Sequence, residues 1–274
     1  MKVYFINLDR SPERLAWFKR QADGMGLDLV RVPAVDGREL PVEELERWRK
    51  LSVGDKGRML SPGEIGCFLS HRRAWEMVRD GTEEWAFVAE DDIHFSKDAA
   101  AFLTDDGWIP AQADLIKAET DLKRHEFSSN SWPAPGGHEL RQLKSTHLNT
   151  GGYFLTREAA ARLLAFSARK CDVIDGLMFA AEYMQEHGMG ILQVIPAICI
   201  QDAYLDEHTG ASALNSILND ERLTIKKNRT MTLTAKLRRE TKRIVMQAFG
   251  LFARIYLTLV QKSAFIVVDF DRRR

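Results

Sequence analysis

The chain has 274 residues, of which 45% are apolar, with 39 Lys and Arg balancing 39 Asp and Glu. That is enough for one large domain or two small ones. Its three cysteines, Cys67, Cys171 and Cys199, are too few and too far apart for a zinc pattern or a disulfide framework, which fits a reducing cytoplasm. The neutral total hides a split: residues 222–274 carry a formal +11 and residues 1–221 carry −11. An acidic body with a basic tail predicts an anionic partner for the tail.

Residues 2–8 read as a buried strand, too short and too soon interrupted for a signal peptide. Ser11 and Pro12 then sit at the N-cap and first position of a helix that Gly24 and Gly26 stop. A second strand over 27–32 ends before Asp36-Gly37, so the chain opens with a βαβ unit. The predicted fold class is α/β with a mainly parallel central sheet. Residues 38–60 read as a short helix around 42–50 and a loop.

Ser61-Pro62-Gly63-Glu64 is a capping box opening a helix that runs to Gly81. Residues 85–89 are apolar without alternation, as in a strand buried on both faces, and end in Glu90-Asp91-Asp92. Ligands of open α/β sheets bind beyond the carboxyl ends of the strands, where these acids project. Three adjacent carboxylates repel by roughly 4 kcal/mol per close pair at an effective dielectric of 20, so a divalent cation carrying a diphosphate suits them. A solvated strand end is the plain alternative.

Residues 115–119 read as another strand, and 121–138, rich in Ser, Pro, Gly and Asn, as a surface loop able to close over a ligand. A strand follows at 151–155, helices at 158–165 and 174–186, and a last strand over 191–200 broken by Pro196. On a helical wheel, residues 235–260 show a wide apolar face and a narrow polar stripe, flanked by basic residues. Arg254 and Lys262 argue against a spanning helix, so the reading is an interfacial helix on anionic lipid, with packing on the body as the alternative. The domain division is thus 1–221 for the body and 222–274 for a membrane-associating segment. Bases beside an apolar helix, rather than along an aromatic-studded groove, disfavour nucleic acid.

Ile6-Asn7-Leu8 with Arg14, Asp36-Gly37, Gly63-Glu64 with Gly66-Cys67, Ser70-His71 with Trp75, and Glu90-Asp91-Asp92 stand in an order and spacing that resemble glycosyltransferase family 25. The bacterial lipooligosaccharide galactosyltransferases belong to that family. Lys117-Ala118-Glu119-Thr120, and Thr150-Gly151-Gly152-Tyr153 with Arg157 and Ala159, resemble further family segments; together the likeness covers roughly residues 1–205. It implies a GT-A type fold and an inverting transfer of a hexose, galactose from UDP-galactose first and glucose from UDP-glucose next, onto a lipooligosaccharide or lipopolysaccharide acceptor. It also implies Mn²⁺ (or Mg²⁺) and peripheral attachment to the inner face of the cytoplasmic membrane.

On that resemblance, Asp92 is the first expected metal ligand, with Glu90 or Asp91 as partner. Asn7, Leu8, Arg14, Asp36, Ser70 and His71 are expected to contact the nucleotide-sugar. Asp175 and then Glu119 are expected as general base, with Asp172 also considered. Gln201, Asp202 and His208 follow the last strand, where a further metal or diphosphate contact belongs. Each has a plainer role: a salt bridge for Arg14, a turn for Asp36, a satisfied core histidine for His71, an N-cap for Asp175. Trp75, Trp85 and Phe87 read as core. A nucleotidyltransferase would show a Gly-rich basic loop after the first strand, which residues 7–14 lack. A non-catalytic carbohydrate-binding protein with this fold is the remaining alternative.

Overall fold

The computed structural model describes residues 1–52, 59–209 and 263–270, with the side chains of 206–209 left out. A strand–helix–strand unit opens it: β1 (Lys2–Asn7), α1 (Pro12–Ala22) and β2 (Asp28–Pro33). Ser11 is the N-cap of α1 and Pro12 its first residue, as predicted, but Ser11 makes no side-chain capping bond. α2 (Val42–Lys50) is followed by α3 (Pro62–Arg79), whose Ser61–Glu64 capping box is complete in both directions. β3 (Trp85–Glu90) pairs in parallel with β1 and has five buried residues before Glu90.

Beyond β3 come β4 (Ile93–Phe95), α4 (Ala99–Leu103), β5 (Leu115–Lys117), β6 (Arg124–Pro133), β7 (Glu139–Leu143) and β8 (Gly152–Thr156). After α5 (Arg157–Ser167), α6 (Ile174–Phe179) and α7 (Ala181–His187) lie β9 (Ile191–Ile195), β10 (Cys199–Gln201) and α8 (Asp202–Thr209). The last element among the described residues is β11 (Ser263–Val267).

Among the described residues the central sheet has nine strands in the order β11-β6-β7-β9-β5-β8-β3-β1-β2, and β4 and β10 form a separate antiparallel pair. This corrects the expectation of a mainly parallel sheet. Only β1–β2, β1–β3 and β5–β9 are parallel; β8 runs antiparallel between β3 and β5, and β7–β9, β6–β7 and β11–β6 are antiparallel as well. The predicted loop at 121–138 is largely strand β6, paired with β7. Its Ser and Asn lie on solvent while His125 and Phe127 are buried, so the segment is polar because it is half exposed. The predicted helix over 174–186 is two helices, because Ala180 adopts extended backbone between them.

Successive strand residues face opposite sides of the sheet. Tyr4, Ile6, Val88 and Tyr153 belong to one core with α3, α5 and α6; Val3, Phe5, Phe87 and Phe154 belong to the other with Phe18 of α1 and Phe102 of α4. The 221/222 division lies outside the described residues, and beyond it β11 is a strand of the central sheet. The expected amphipathic helix over 235–260 also lies outside them. Among the described residues no helix is long and apolar enough to cross a membrane.

Candidate functional site

β1, β2 and β3 are adjacent parallel strands whose carboxyl ends, Asn7, Pro33 and Glu90, open onto one cleft. Of the residues read from the sequence, Leu8, Arg14, Asp36, Ser70, His71, Glu90, Asp91 and Asp92 line it. The cleft floor forms because the segment after β2 lies directly on the start of α3. A Cβ on Gly37 would sit 1.7 Å from the Pro62 carbonyl oxygen, and one on Gly66 would sit 2.6 Å from both Gly37 N and Val35 O. Only glycine permits that approach.

The three acids have different surroundings. Asp91 is turned inward: Asn7 Nδ2 donates to it at 2.6 Å and Arg14 at 3.0 Å. Burial still lifts its pKa above the ordinary carboxylate value, against Arg14 and Asn7. Burial would lift Glu90 too, but His71, Thr150 and the Arg14 charge hold it below the usual range. Glu90 accepts from Thr150 Oγ1 at 2.7 Å, Gln201 Nε2 at 3.0 Å and His71 Nε2 at 3.3 Å. Asp92 is pushed up to about 7, first by burial and then by the Glu90 charge beside it. Its contacts are longer, 3.4 Å to Gln201 Nε2 and 3.8 Å to Arg14.

Glu90 and Asp92 therefore share one amide donor, and the ion pair of Asp92 with Arg14 is long, at 3.8 Å. This oxygen-donor pair, carrying more negative charge than its neighbours neutralise, fits a hard divalent cation. Cys67, His71 and Glu90 also cluster closely enough to hold an ion, but both His71 ring nitrogens are already hydrogen-bonded.

Several expected contacts are instead engaged in building the cleft. Asn7 is buried, donates to Asp91 and the Ser11 carbonyl, and accepts from Arg31. Ser70 Oγ accepts from Val35 N at 2.8 Å and donates to Gly66 O at 2.6 Å, tying the segment after β2 to α3. Asp36 is paired with Arg10 and accepts from Arg38 N; those two residues hold its pKa below normal although burial opposes them. Arg10 and Arg38 line the cleft and were missed. The available signal was a basic residue just beyond each of the first two strands.

Neither expected base lines the cleft. Glu119 is fully buried and ion-paired with Lys117 Nζ at 3.0 Å, and it accepts from Gly151 N at 2.7 Å. Burial pushes its pKa up to about 7 against the Lys117 charge. Its core position has a topological cause: Lys117 ends β5, which lies between β8 and β9, and Glu119 follows in an isolated bridge to Cys199. Asp175 accepts from Asn149 N and from Gly176 N within α6, and Val173, not Asp175, is the N-cap. It stands beside Asn149, next to Thr150, which reaches Glu90. Asp172 accepts from Tyr183. Gln201 reaches both cleft carboxylates, Asp202 pairs with His94, and the His208 side chain lies outside the described residues.

A second cluster, Asp121, His125 and His147, lines no part of the cleft. Its two imidazole rings stack 3.8 Å apart at 18°, which sends their in-plane lone pairs side by side rather than to a common point, and Lys123 lies 3.3 Å from Asp121. Asp121 is thus a buried carboxylate held by a hydrogen bond with His125 and an ion pair with Lys123.

The model of glycosyltransferase family 25 (LPS biosynthesis protein) matches residues 1–178. The chain is 31% identical over 236 residues to a lacto-N-neotetraose biosynthesis glycosyltransferase, LgtB, of Neisseria meningitidis serogroup B, covering 81% of this chain and 84% of that protein. It is 29% identical to LgtE of the same organism, covering 74% and 75%. Identity is 27% to the lipooligosaccharide biosynthesis protein lic2B of Haemophilus influenzae, covering 69% and 74%.

Proposed function

Because this chain belongs to glycosyltransferase family 25 and is a glycosyltransferase, we propose that it transfers a hexose from a nucleoside-diphosphate donor to a lipooligosaccharide or lipopolysaccharide acceptor. UDP-galactose is the first donor to test and UDP-glucose the second, and the reaction inverts the anomeric centre within a GT-A type fold. The observation that carries this reading is the Glu90–Asp92 pair in a cleft that also presents Arg10, Arg14 and Arg38. Carboxylates for a cation and guanidinium groups for phosphate oxygens are the two requirements of diphosphate binding.

Glu90 and Asp92 would hold Mn²⁺ or Mg²⁺, which when bound would neutralise charge on the departing nucleotide. The protein's own groups do the rest. Arg14 and Asn7 keep Asp91 paired, leaving the other two acids for the cation. Asp36, fixed by Arg10 and Arg38, offers an acceptor to ribose or uracil hydroxyl and amide groups. Leu8 supplies apolar wall. Asp175 remains the first proposed general base and sits on the Thr150 side of Glu90; a base there contributes typically 10²–10⁴-fold. Glu119, enclosed with Lys117, acts by fixing Gly151.

The decisive test is a thermal-shift panel of UDP- and GDP-hexoses with and without Mn²⁺, since a bound ligand raises the melting temperature by mass action. The reading expects a UDP-hexose shift that requires the cation. Equal shifts without cation would remove the metal from it, and saccharide binding without any nucleotide-sugar shift would favour the non-catalytic alternative.

The basic segment over 222–274 supports a further part of the proposal, peripheral attachment to anionic membrane where the lipid-linked acceptor resides. Its test is sedimentation with vesicles of phosphatidylglycerol against phosphatidylcholine.

A further inference from the structure

Three side chains behind Glu90 form a chain of hydrogen bonds whose direction is forced. His71 and Trp75 lie four residues apart on one face of α3, and Tyr153 of β8 reaches between them. Trp75 Nε1 is 2.8 Å from Tyr153 Oη, Tyr153 Oη is 2.8 Å from His71 Nδ1, and His71 Nε2 is 3.3 Å from Glu90 Oε1. Trp75 and Tyr153 are fully buried and His71 is 1% exposed, so no solvent alters the pattern.

An indole nitrogen only donates, so Tyr153 Oη accepts from Trp75. The phenol has one proton and one other partner, so it donates to His71 Nδ1. Burial holds that phenol far above its ordinary pKa, which keeps the proton in place. His71 Nδ1 is therefore an acceptor, the ring proton is on Nε2, and Nε2–H donates to Glu90. The opposite tautomer would leave the Tyr153 hydroxyl proton unpartnered in the core and aim an imidazole lone pair at a carboxylate. Each of those faults is costly in a site closed to water.

We infer that Trp75 and Tyr153 are positioning residues for the carboxylate–cation site: through His71 they set which nitrogen faces Glu90 and so fix the orientation of that carboxylate. This rests on the reading of Glu90 as a cation ligand. An imidazole N–H restrains the carboxylate without cancelling its charge, so Glu90 stays available to a cation. Hydrogen-bond partners behind a metal ligand are known to govern affinity by orienting it. The chain also explains why a tryptophan that the sequence presents as plain core material sits at this one turn of α3.

The test uses the full-length protein. ¹⁵N-imidazole NMR, with His71 assigned through His71→Gln, is expected to show Nδ1 unprotonated and Nε2 protonated. Mn²⁺ titrated calorimetrically without donor should bind Tyr153→Phe on the order of 10- to 100-fold more weakly than wild type, with Trp75→Phe intermediate. Because both act through one chain, the double variant should bind no more weakly than Tyr153→Phe alone. Phe87→Leu, on the opposite face of β3, controls for general loss of core packing and should leave Mn²⁺ affinity unmoved.

A protonated Nδ1 in the wild type overturns the proposal. So does wild-type Mn²⁺ affinity in a folded Tyr153→Phe, or strict additivity in the double variant; those results leave the cation reading of the cleft standing. Absence of any Mn²⁺ binding by the wild type removes that reading and this proposal together.

Discussion

Asp92 shows how burial rather than sequence position sorts a run of acids. Three consecutive carboxylates look equivalent on paper, yet Asp91 is paired with Asn7 and Arg14, Glu90 is held by three donors, and only Asp92 is left with its pKa near 7. Replacing it by Asn should abolish cation-dependent transfer. The same change should raise the melting temperature of the cation-free protein at pH 8, because a buried charge is removed. Roughly 1–2 kcal/mol, a few degrees, is expected. A variant that keeps full turnover would show that Asp92 is no ligand.

The pH dependence follows with a definite sign. Asp92 and Glu119 both titrate near 7 when folded against about 4 when unfolded, so the folded chain binds more protons between those values. Their contribution to stability is complete below about pH 4 and is lost as pH rises through 7. His147, kept neutral by burial, pulls the other way. The comparison that isolates Asp92 is therefore the wild-type melting temperature minus that of Asp92→Asn. This difference should fall from pH 5.5 to pH 8 in the absence of cation.

At the scale of elements, the site depends on α3 and the segment after β2 touching with no side chain between them. Gly37→Ala should cost about 3 kcal/mol, because the atoms in its way are Pro62 backbone. It should also weaken nucleotide-sugar binding by moving Asp36. Urea unfolding and a binding titration read the two effects separately. Ser61→Ala, which removes half of the capping box, should cost about 1 kcal/mol. It should leave the cleft geometry, and hence donor KM, nearly unchanged.

For the whole molecule, β11 changes how the tail must be tested. It pairs with β6 through five residues, Val268 is fully buried, and Thr120 Oγ1 donates to the Val268 carbonyl. Deleting 235–274 would remove this edge strand, and burial of Val268 alone is worth about 2 kcal/mol. Loss of membrane sedimentation in such a truncation would then report unfolding as much as lost lipid contact. Neutralising Lys236, Arg238, Arg239, Lys242 and Arg243 to Gln keeps β11. It should weaken sedimentation with anionic vesicles several-fold, relieved in the wild type by high salt, while the melting temperature stays within a degree.

Local signals settled a large part of this molecule. The capping box over 61–64, the apolar run ending at Glu90 and the opening βαβ unit are encoded within a few residues each, and each is present in the structure at its predicted place. Because parallel strands open ligand clefts at their carboxyl ends, that was also enough to gather eight of the expected residues around one cleft. Strand direction was not local. β8 runs antiparallel beside β3, and β6 and β7 extend the sheet, through partners distant in sequence. The roles within the cleft were not local either. Whether Asn7, Ser70 and His71 face a ligand or hold the frame depends on hydrogen bonds to Asp91, Val35 and Tyr153, residues brought near only by folding. Residue type determined which chemistry was available; burial and the geometry of distant partners decided which groups keep a free lone pair or an unpaired charge with which to perform it.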